Sequence, residues 1–123
     1  VTTFDSYSPL GDVLSLTTNP ASGVTETTQY TYDALRRLRE ITNPDSSTEL
    51  FNFTGRDLTS IEDEASTVSD FTYCPTCGKL TGATYPLSKG LVWNLNSDFE
   101  VTSFLDARNN STSYAYGSAG ERK

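Results

Sequence analysis

The feature that most constrains this chain is an aromatic or apolar position that recurs about every 21 residues. This position is occupied, at spacings of 21, 20, 22 and 21 residues, by Tyr32, Phe53, Tyr73, Leu95 and Tyr116. A period between about 20 and 50 residues is typical of repeat architectures, in which each copy is one supersecondary unit that stacks on the next. The period therefore predicts a repeat array rather than a domain built around one thick core.

The array is predicted to occupy residues 1–123. Its copies are approximately 4–23, 30–50, 51–70, 71–90 and 91–112, with a partial copy at 113–123. The first copy is degenerate and is set apart by an insertion near residues 19–23, whose Asn, Pro, Ser and Gly are turn formers. We expect this insertion to lengthen a turn.

Each copy opens with a strand-like triplet, as in Tyr30-Thr31-Tyr32. Because side chains alternate between the two faces of a strand, both rings of such a triplet lie on one face. Thr, Tyr, Phe and Val favour strands, whereas residues such as Asn43-Pro44-Asp45 mark turns. Two short strands and two turns use about 21 residues, so one copy is one β-hairpin. The predicted fold class is all-β, with tandem antiparallel hairpins in an open, curved sheet.

Residues 33–41 allow a second interpretation, because Leu38 and Ile41 lie three apart, as on an amphipathic helix. The equivalent segments of other copies are rich in Thr, Ser and β-branched residues: 13–16, 58–61 and 101–104. Homologous copies are expected to share one structure, so a strand is favoured here. The spacing of Leu38 and Ile41 then implies a bulge or a strand that uses both faces.

The aromatic residues of the copies are expected to form two columns once the hairpins are stacked. They are Tyr30, Tyr32, Phe51, Phe53, Phe71, Tyr73, Trp93, Tyr114 and Tyr116. Two roles are open to them, a sugar-binding ladder and cross-strand stacking that holds neighbouring hairpins together. Their recurrence in phase favours the structural role.

The motif Cys74-Pro75-Thr76-Cys77-Gly78 falls in the turn of its hairpin. A zinc site needs four ligands, whereas the chain contains two Cys and no His. A redox pair usually opens a helix beside a sheet, which the surrounding sequence does not suggest. A structural turn, with free thiols or a local disulfide, is favoured over a metal shared with another chain or repeat and over redox activity.

The formal net charge of −7 argues against nucleic acid as a partner, because phosphates are repelled. No apolar run is long enough to insert in a membrane. The absence of His removes the commonest general base, and the charged stretches 36–39 and 62–64 are interpreted as solvated surface. We therefore predict no catalytic residue, no cofactor, no metal and no enzymatic activity. The chain starts with Val and shows no signal peptide, which suggests a cut piece or a processed product.

Residues 30–38, Tyr-Thr-Tyr-Asp-Ala-Leu-Arg-Arg-Leu, resemble the YD repeat of the Rhs family, whose pattern is approximately Tyr-x-Tyr-Asp-x-x-Gly-Arg-Leu. The likeness recurs in register, with decay, over nearly the whole chain. Arg36 and Phe99 replace the Gly of the pattern, and the Asp at position 33 is replaced in later copies by Thr54, Cys74, Asn96 and Gly117. We expect these departures to disturb the tight turns, because glycine adopts left-handed conformations most easily.

The resemblance implies a structural role. YD repeats of bacterial Rhs toxins form β-shells around a toxic cargo, and a similar barrel occurs in animal teneurins. It therefore implies a secreted or cell-surface shell segment that encloses or presents an attached effector domain. The terminal hairpins leave unpaired strand edges, so the expected partners are neighbouring repeats of a longer chain or a second copy joined edge to edge. Toxin cargo and carbohydrate are further candidate partners, and the alternative function is a module that binds carbohydrate or a surface partner.

Overall fold

The computed structural model describes residues 2–117, 120 and 121, and its strands form one antiparallel sheet in which strand order follows the sequence. The strands are β1 (Thr2–Tyr7), β2 (Val13–Thr18), β3 (Glu26–Tyr32), β4 (Leu38–Thr42), β5 (Thr48–Thr54), β6 (Asp57–Glu62), β7 (Val68–Tyr73), β8 (Leu80–Tyr85), β9 (Lys89–Leu95), β10 (Val101–Leu105) and β11 (Ser111–Ser113). A single 3-10 turn, Pro86–Ser88, is the only helical element of the described residues. The prediction of an all-β, open sheet of antiparallel hairpins is confirmed.

The chain divides into two compact units. The first contains the described residues up to Asn52 together with Ile61–Thr67, and the second contains Phe53–Ser60 together with the described residues from Val68 onward. Among the described residues no helix is long and apolar enough to cross a membrane.

In the first unit, the helical alternative for residues 33–41 is wrong, and the predicted strand is shorter than expected. Asp33 begins a turn, and β4 starts at Leu38. Thr31 pairs with Glu40 while Tyr32 pairs with Leu38, so the register shifts by one residue between them. This shift is the bulge that the spacing of Leu38 and Ile41 implied. The insertion near residues 19–23 lies in the long connection between β2 and β3, as expected.

The two faces of the strands differ in polarity. In the first unit Tyr30 and Tyr32 are half-buried and Thr31 between them is exposed. In the second unit Thr72 is exposed between the half-buried Phe71 and Tyr73. The rings of these triplets therefore share one face, which we call the aromatic face, as the alternation predicts.

Hydroxyl and amide groups pair across strands on the opposite, polar face. Thr17 Oγ1 and Thr27 Oγ1 lie 3.1 Å apart in the first unit. Asn94 Nδ2 donates to Ser103 Oγ at 2.9 Å in the second. Such cross-strand pairs stabilise a sheet face that is exposed to water.

Little of the chain is deeply buried. Ala83, 4% exposed, is the only buried apolar side chain of the described residues. It follows Gly82, where a Cβ atom would lie 2.5 Å from Thr72 Oγ1, so the small residues of β8 allow close packing against β7. Large apolar side chains remain exposed at the turns, including Leu35 at 69% and Leu87 at 92%. Within the part that the structure describes, neither unit has a second layer of secondary structure on its sheet.

Candidate functional site

Most of the described turns share one hydrogen-bond scheme. In residues 33–37 the Asp33 N–H donates to Arg37 O, and the Arg36 N–H donates to Asp33 O, both at 2.9 Å. Arg36, the fourth residue of the turn, has a φ of 63°. This scheme is a three-residue hairpin loop with a left-handed bulge residue. The same two bonds close the turns 8–12, 43–47, 63–67, 96–100 and 106–110.

The side chain of the first turn residue adds further bonds. Asp33 Oδ1 accepts the N–H groups of Leu35 at 2.8 Å and Arg37 at 3.0 Å. Asn96, which replaces the signature Asp, accepts the corresponding N–H groups of Asp98 at 3.0 Å and Glu100 at 2.9 Å. An amide oxygen therefore substitutes for the carboxylate without a change in the turn.

The expectation that departures from the YD pattern disturb the turns is thus wrong at four positions, Arg36, Asn96, Phe99 and Gly117, since the Gly117 N–H donates to Glu121 O and the Gly120 N–H to Gly117 O. Arg36 and Phe99 adopt left-handed φ values of 63° and 62°, because the closing hydrogen bonds offset the steric cost of that conformation. The expectation holds in two other copies. After Thr54 the loop shrinks to Gly55 and Arg56, and after Cys74 it grows by one residue, so that Lys79 O accepts the Cys74 N–H.

Charged side chains link neighbouring turns of the first unit. Arg36 Nη2 donates to Asp12 Oδ1 at 2.6 Å and to Leu10 O at 2.9 Å. The Arg36 guanidinium lowers the pKa of Asp12. The pKa of Asp33 is lowered chiefly by the hydrogen bond from the Arg37 backbone N–H and next by the Arg37 side chain, 2.7 Å away. These contacts agree with a solvated, salt-bridged surface and leave Arg36 and Arg37 engaged within the chain.

Acidic side chains gather at the opposite ends of the strands in the same unit. Burial, followed by the charge of Glu64 and a hydrogen bond with it, raises the pKa of Glu49, and Asp63 adds a smaller repulsion. Glu64 also lines an open surface depression with Glu26 and Asp45. In the described part of the chain, no three His, Cys, Asp or Glu residues are close enough together to hold a metal ion.

Three tyrosine hydroxyl groups make the same contact in different copies, a feature that the sequence analysis missed. Each donates to a backbone carbonyl at or next to the start of a strand in the preceding copy: Tyr32 to Val13 at 2.9 Å, Tyr73 to Leu58 at 3.0 Å and Tyr116 to Val101 at 2.8 Å. The sequence carried a signal for it, namely a Tyr at this position of the repeat in these three copies. The two intervening copies have Phe53 and Leu95 there, neither of which has a hydroxyl group. Each of these tyrosines ties one copy to the backbone of the copy before it.

The nine predicted aromatic residues are all half-buried: Tyr30, Tyr32, Phe51, Phe53, Phe71, Tyr73, Trp93, Tyr114 and Tyr116. The ring of Trp93 lies 5.3 Å from that of Phe104, its cross-strand partner, with the two planes tilted by 36°. Phe104 belongs to the same copy and was not among the predicted residues. The stacking of rings from successive copies into columns stays a prediction.

Cys74 and Cys77 are joined by a disulfide, with their Cα atoms 5.4 Å apart. The Cys77 N–H donates to Cys74 Sγ at 3.1 Å. An open groove of about 610 Å³ runs from this turn along the second unit to Trp93 and Phe99. The structural turn was predicted to hold either free thiols or a local disulfide, and the bridge corresponds to the second. The shared metal and the redox role stay hypotheses.

Antiparallel hairpins closed by a common turn and tied by recurring tyrosines define a β-hairpin repeat protein. The family model described as RHS Repeat matches residues 1–48. This part of the chain is therefore RHS-repeat sequence, which confirms the family predicted from the YD motif.

No curated protein matches the chain. Among solved structures, the chain is similar to the crystal structure of TcdB2-TccC3 without its hypervariable C-terminal region, at 16% identity and a TM-score of 0.45. It is also similar to the Tc holotoxin pore of Photorhabdus luminescens, at 17% identity and a TM-score of 0.42. Each alignment covers 98% of this chain but only 9% of the solved chain, so the chain spans a small part of these proteins.

Proposed function

We propose that this chain is a wall segment of an RHS-repeat shell that encloses an attached effector domain, and that it has no enzymatic activity of its own. The observation that carries the proposal is the set of hydrogen bonds that join each copy to the next. Adjacent strands are joined by backbone pairing, and Tyr32, Tyr73 and Tyr116 each add a bond to a strand of the preceding copy. Such a pattern extends a sheet by adding copies.

The distribution of burial supports a wall. A globular domain hides its large apolar side chains between two layers. Here Ala83 alone is buried among the apolar side chains of the described residues, and the rings of the aromatic face are half-covered. A wall has this property because each of its faces contacts solvent or the enclosed cargo rather than another layer of the same unit.

The family suggests the surroundings of such a wall. We propose neighbouring repeats of a longer chain as the partners at the strand edges, an effector domain as cargo, and a secreted or cell-surface location. These proposals rest on the RHS-repeat match over residues 1–48 and on the open edges of β1 and β11, each of which has one neighbouring strand.

The enclosure is tested on the full-length protein that contains this chain. Limited proteolysis at increasing urea concentrations should leave the effector segment intact until the sheet itself unfolds, as followed by far-UV circular dichroism. A triple variant, Tyr32→Phe, Tyr73→Phe and Tyr116→Phe, should shift both events together to lower urea concentration. Cleavage of the effector segment while the sheet is still fully folded would overturn the enclosure.

The alternative function, carbohydrate binding, is tested separately with a glycan array. A wall segment should bind no glycan above background. Specific binding that is lost in Trp93→Ala and kept in Thr31→Ala, an exposed position on the polar face of another hairpin, would favour the binding module over the wall.

A further inference from the structure

The turn between β7 and β8 places a sulfur atom where other turns place an oxygen. Cys74 is the first residue of this turn, the position that Asp33 and Asn96 hold in theirs. Two bonds of 2.8 Å close the turn: the Cys74 N–H donates to Lys79 O, and Cys74 O accepts the Gly78 N–H. Its Sγ atom accepts the Cys77 N–H at 3.1 Å, and Thr76 Oγ1 lies 3.4 Å from it.

This first position stabilises negative charge elsewhere in the chain. The Arg37 backbone N–H lowers the pKa of Asp33, with the Arg37 side chain as a further cause. The Asn110 side chain, followed by its backbone N–H, lowers the pKa of Asp106, which begins the turn 106–110. A thiolate at the same position receives the same kind of donor, and hydrogen bonds to the charged form favour it.

The bridge itself adds little to folding by restricting the unfolded chain. Cys74 and Cys77 are three positions apart, and the entropic effect of a disulfide grows with the length of the loop it closes. The turn is also partly accessible, since Pro75, Thr76 and Gly78 are exposed while Cys74 and Cys77 are half-buried. A short bridge in an exposed turn is suited to chemistry more than to stabilisation.

We propose that Cys74 and Cys77 form a thiol–disulfide exchange site that accepts electrons from small dithiols. A thiolate of the reductant attacks Cys77 Sγ, the bond between the two cysteines breaks, and Cys74 leaves as a thiolate held by its turn. The second thiol of the reductant loses its proton to water and attacks the reductant sulfur of the mixed disulfide. Cys77 then leaves as a thiolate and takes a proton from water, so two electrons have passed to the protein and the reductant has become a disulfide.

The direction of attack follows from the hydrogen bonds. The better leaving group is the thiol of lower pKa. Because the Cys77 N–H donates to Cys74 Sγ, Cys74 is the expected leaving group and Cys77 Sγ is the atom that is attacked. The charged side chains on the same and the adjacent turns are Lys79, Arg56, Asp57, Asp98 and Glu100. Lys79 Nζ donates to Phe99 O at 2.8 Å, so this cation is engaged with the next turn.

The site is tested with the reduced single-cysteine variants Cys77→Ser and Cys74→Ser of the whole chain, whose alkylation by iodoacetamide is followed against pH. Cys74 should titrate at least about one unit below the value near 8.5 of a free thiol, and Cys77 should stay near it. At about pH 6.5, Cys74 should react about threefold faster, since a ninefold gain in thiolate is offset threefold by lower nucleophilicity. Equal values, or a lower value for Cys77, would overturn the proposal.

Two controls separate the turn from the fold. In concentrated guanidinium chloride the difference between the two variants should vanish, because the turn no longer exists. If either variant fails to fold, the wild-type chain gives the same information. Treatment with a monothiol, followed by acid quenching and peptide mass spectrometry, should find the mixed disulfide on Cys77, and its accumulation on Cys74 would contradict the assigned order.

Discussion

At the scale of single residues, the tyrosine hydroxyls decide how firmly a copy is tied to the one before it. Tyr32, Tyr73 and Tyr116 each donate to a carbonyl in a strand of the preceding copy, at distances between 2.8 and 3.0 Å. Leu95 holds the corresponding place on β9 and can make no such bond. A net contribution of about 1 kcal/mol is expected for a hydrogen bond of this kind.

We predict that Tyr32→Phe, Tyr73→Phe and Tyr116→Phe each lower the free energy of unfolding by about 0.5–1.5 kcal/mol, measured by urea denaturation. The ring remains and only the hydroxyl is lost, so the carbonyl acceptor loses a partner. Tyr30→Phe is the matched control, because the Tyr30 hydroxyl bonds to no residue that the structure describes. An equal loss in Tyr30→Phe would show that the hydroxyl bonds are not responsible.

The reverse change is available at Leu95. Leu95→Tyr adds a ring and a hydroxyl at the corresponding position, where the equivalent acceptor is Leu80 O, and Leu95→Phe adds the ring alone. The Tyr variant should be more stable than the Phe variant by about 0.5–1.5 kcal/mol. Identical stabilities would mean that the register at β8 and β9 does not bring the hydroxyl to the carbonyl.

Glu49 gives the chain a pH dependence whose sign can be worked out. Burial, with repulsion from Glu64, raises its pKa above the ordinary value of 4.5. Between 4.5 and the raised pKa the folded state binds more protons than the unfolded state, so stability falls as pH rises through this window and stays lower above it. Glu49→Gln should therefore raise the melting temperature at neutral pH.

The gain from Glu49→Gln should disappear below about pH 4, where Glu49 is protonated in both states. Thermal melts of wild type and variant at the two pH values measure it. Glu40→Gln is the control, because it makes the same change in net charge on the polar face. A gain from Glu49→Gln that is the same at both pH values, or that Glu40→Gln reproduces, would speak against charge repulsion at Glu49.

At the scale of elements, the recurring turn explains why the repeat tolerates changes in its own signature. The closing bonds involve backbone groups, so the turn 96–100 forms with Asn96 in place of Asp and Phe99 in place of Gly. What the backbone cannot remove is the steric cost of a side chain in the left-handed region. Phe99, with a φ of 62°, carries this cost.

We predict that Phe99→Gly is more stable than Phe99→Ala by about 0.5–1 kcal/mol in urea denaturation. Both variants lose the ring, so the comparison isolates the backbone conformation. At Lys89, where φ is −79°, the order should reverse, and Lys89→Ala should be the more stable of its pair. If alanine were favoured at both positions, the left-handed conformation at Phe99 would not be costly.

At the scale of the whole molecule, two strands have an open side. β1 and β11 are the ends of the strand order, and each pairs with a single neighbour. An unpaired edge offers backbone N–H and C=O groups to another strand. We predict that the isolated chain associates edge to edge with rising concentration, measured by size-exclusion chromatography with light scattering.

Charges on an edge strand oppose such pairing, so Ser111→Lys with Ser113→Lys in β11 should reduce the association. Thr31→Lys with Thr72→Lys is the matched control, because these exposed residues lie on interior strands and the change in charge is the same. A monomer at all concentrations, with slow amide exchange along β1 and β11, would contradict the prediction.

Local patterns in the sequence were enough to predict the hairpins. Alternation places Tyr30 and Tyr32 on one face whatever their neighbours are, and residues such as Asn43-Pro44 end a strand through their own backbone preferences. The period of about 21 residues then predicts the order of the strands, since consecutive hairpins are adjacent in space. The fold class follows from these local properties, whereas the family was indicated by the resemblance of residues 30–38 to the YD repeat.

Only the tertiary structure decided which polar groups meet. The bond from Tyr32 to Val13 O and the ion pair of Arg36 with Asp12 join residues 19 and 24 positions apart. Whether they form depends on the register between strands, which is shifted by the bulge between Thr31 and Tyr32. A shift of one residue turns a side chain to the other face or moves an acceptor beyond its reach, and the periodicity of the chain does not specify it.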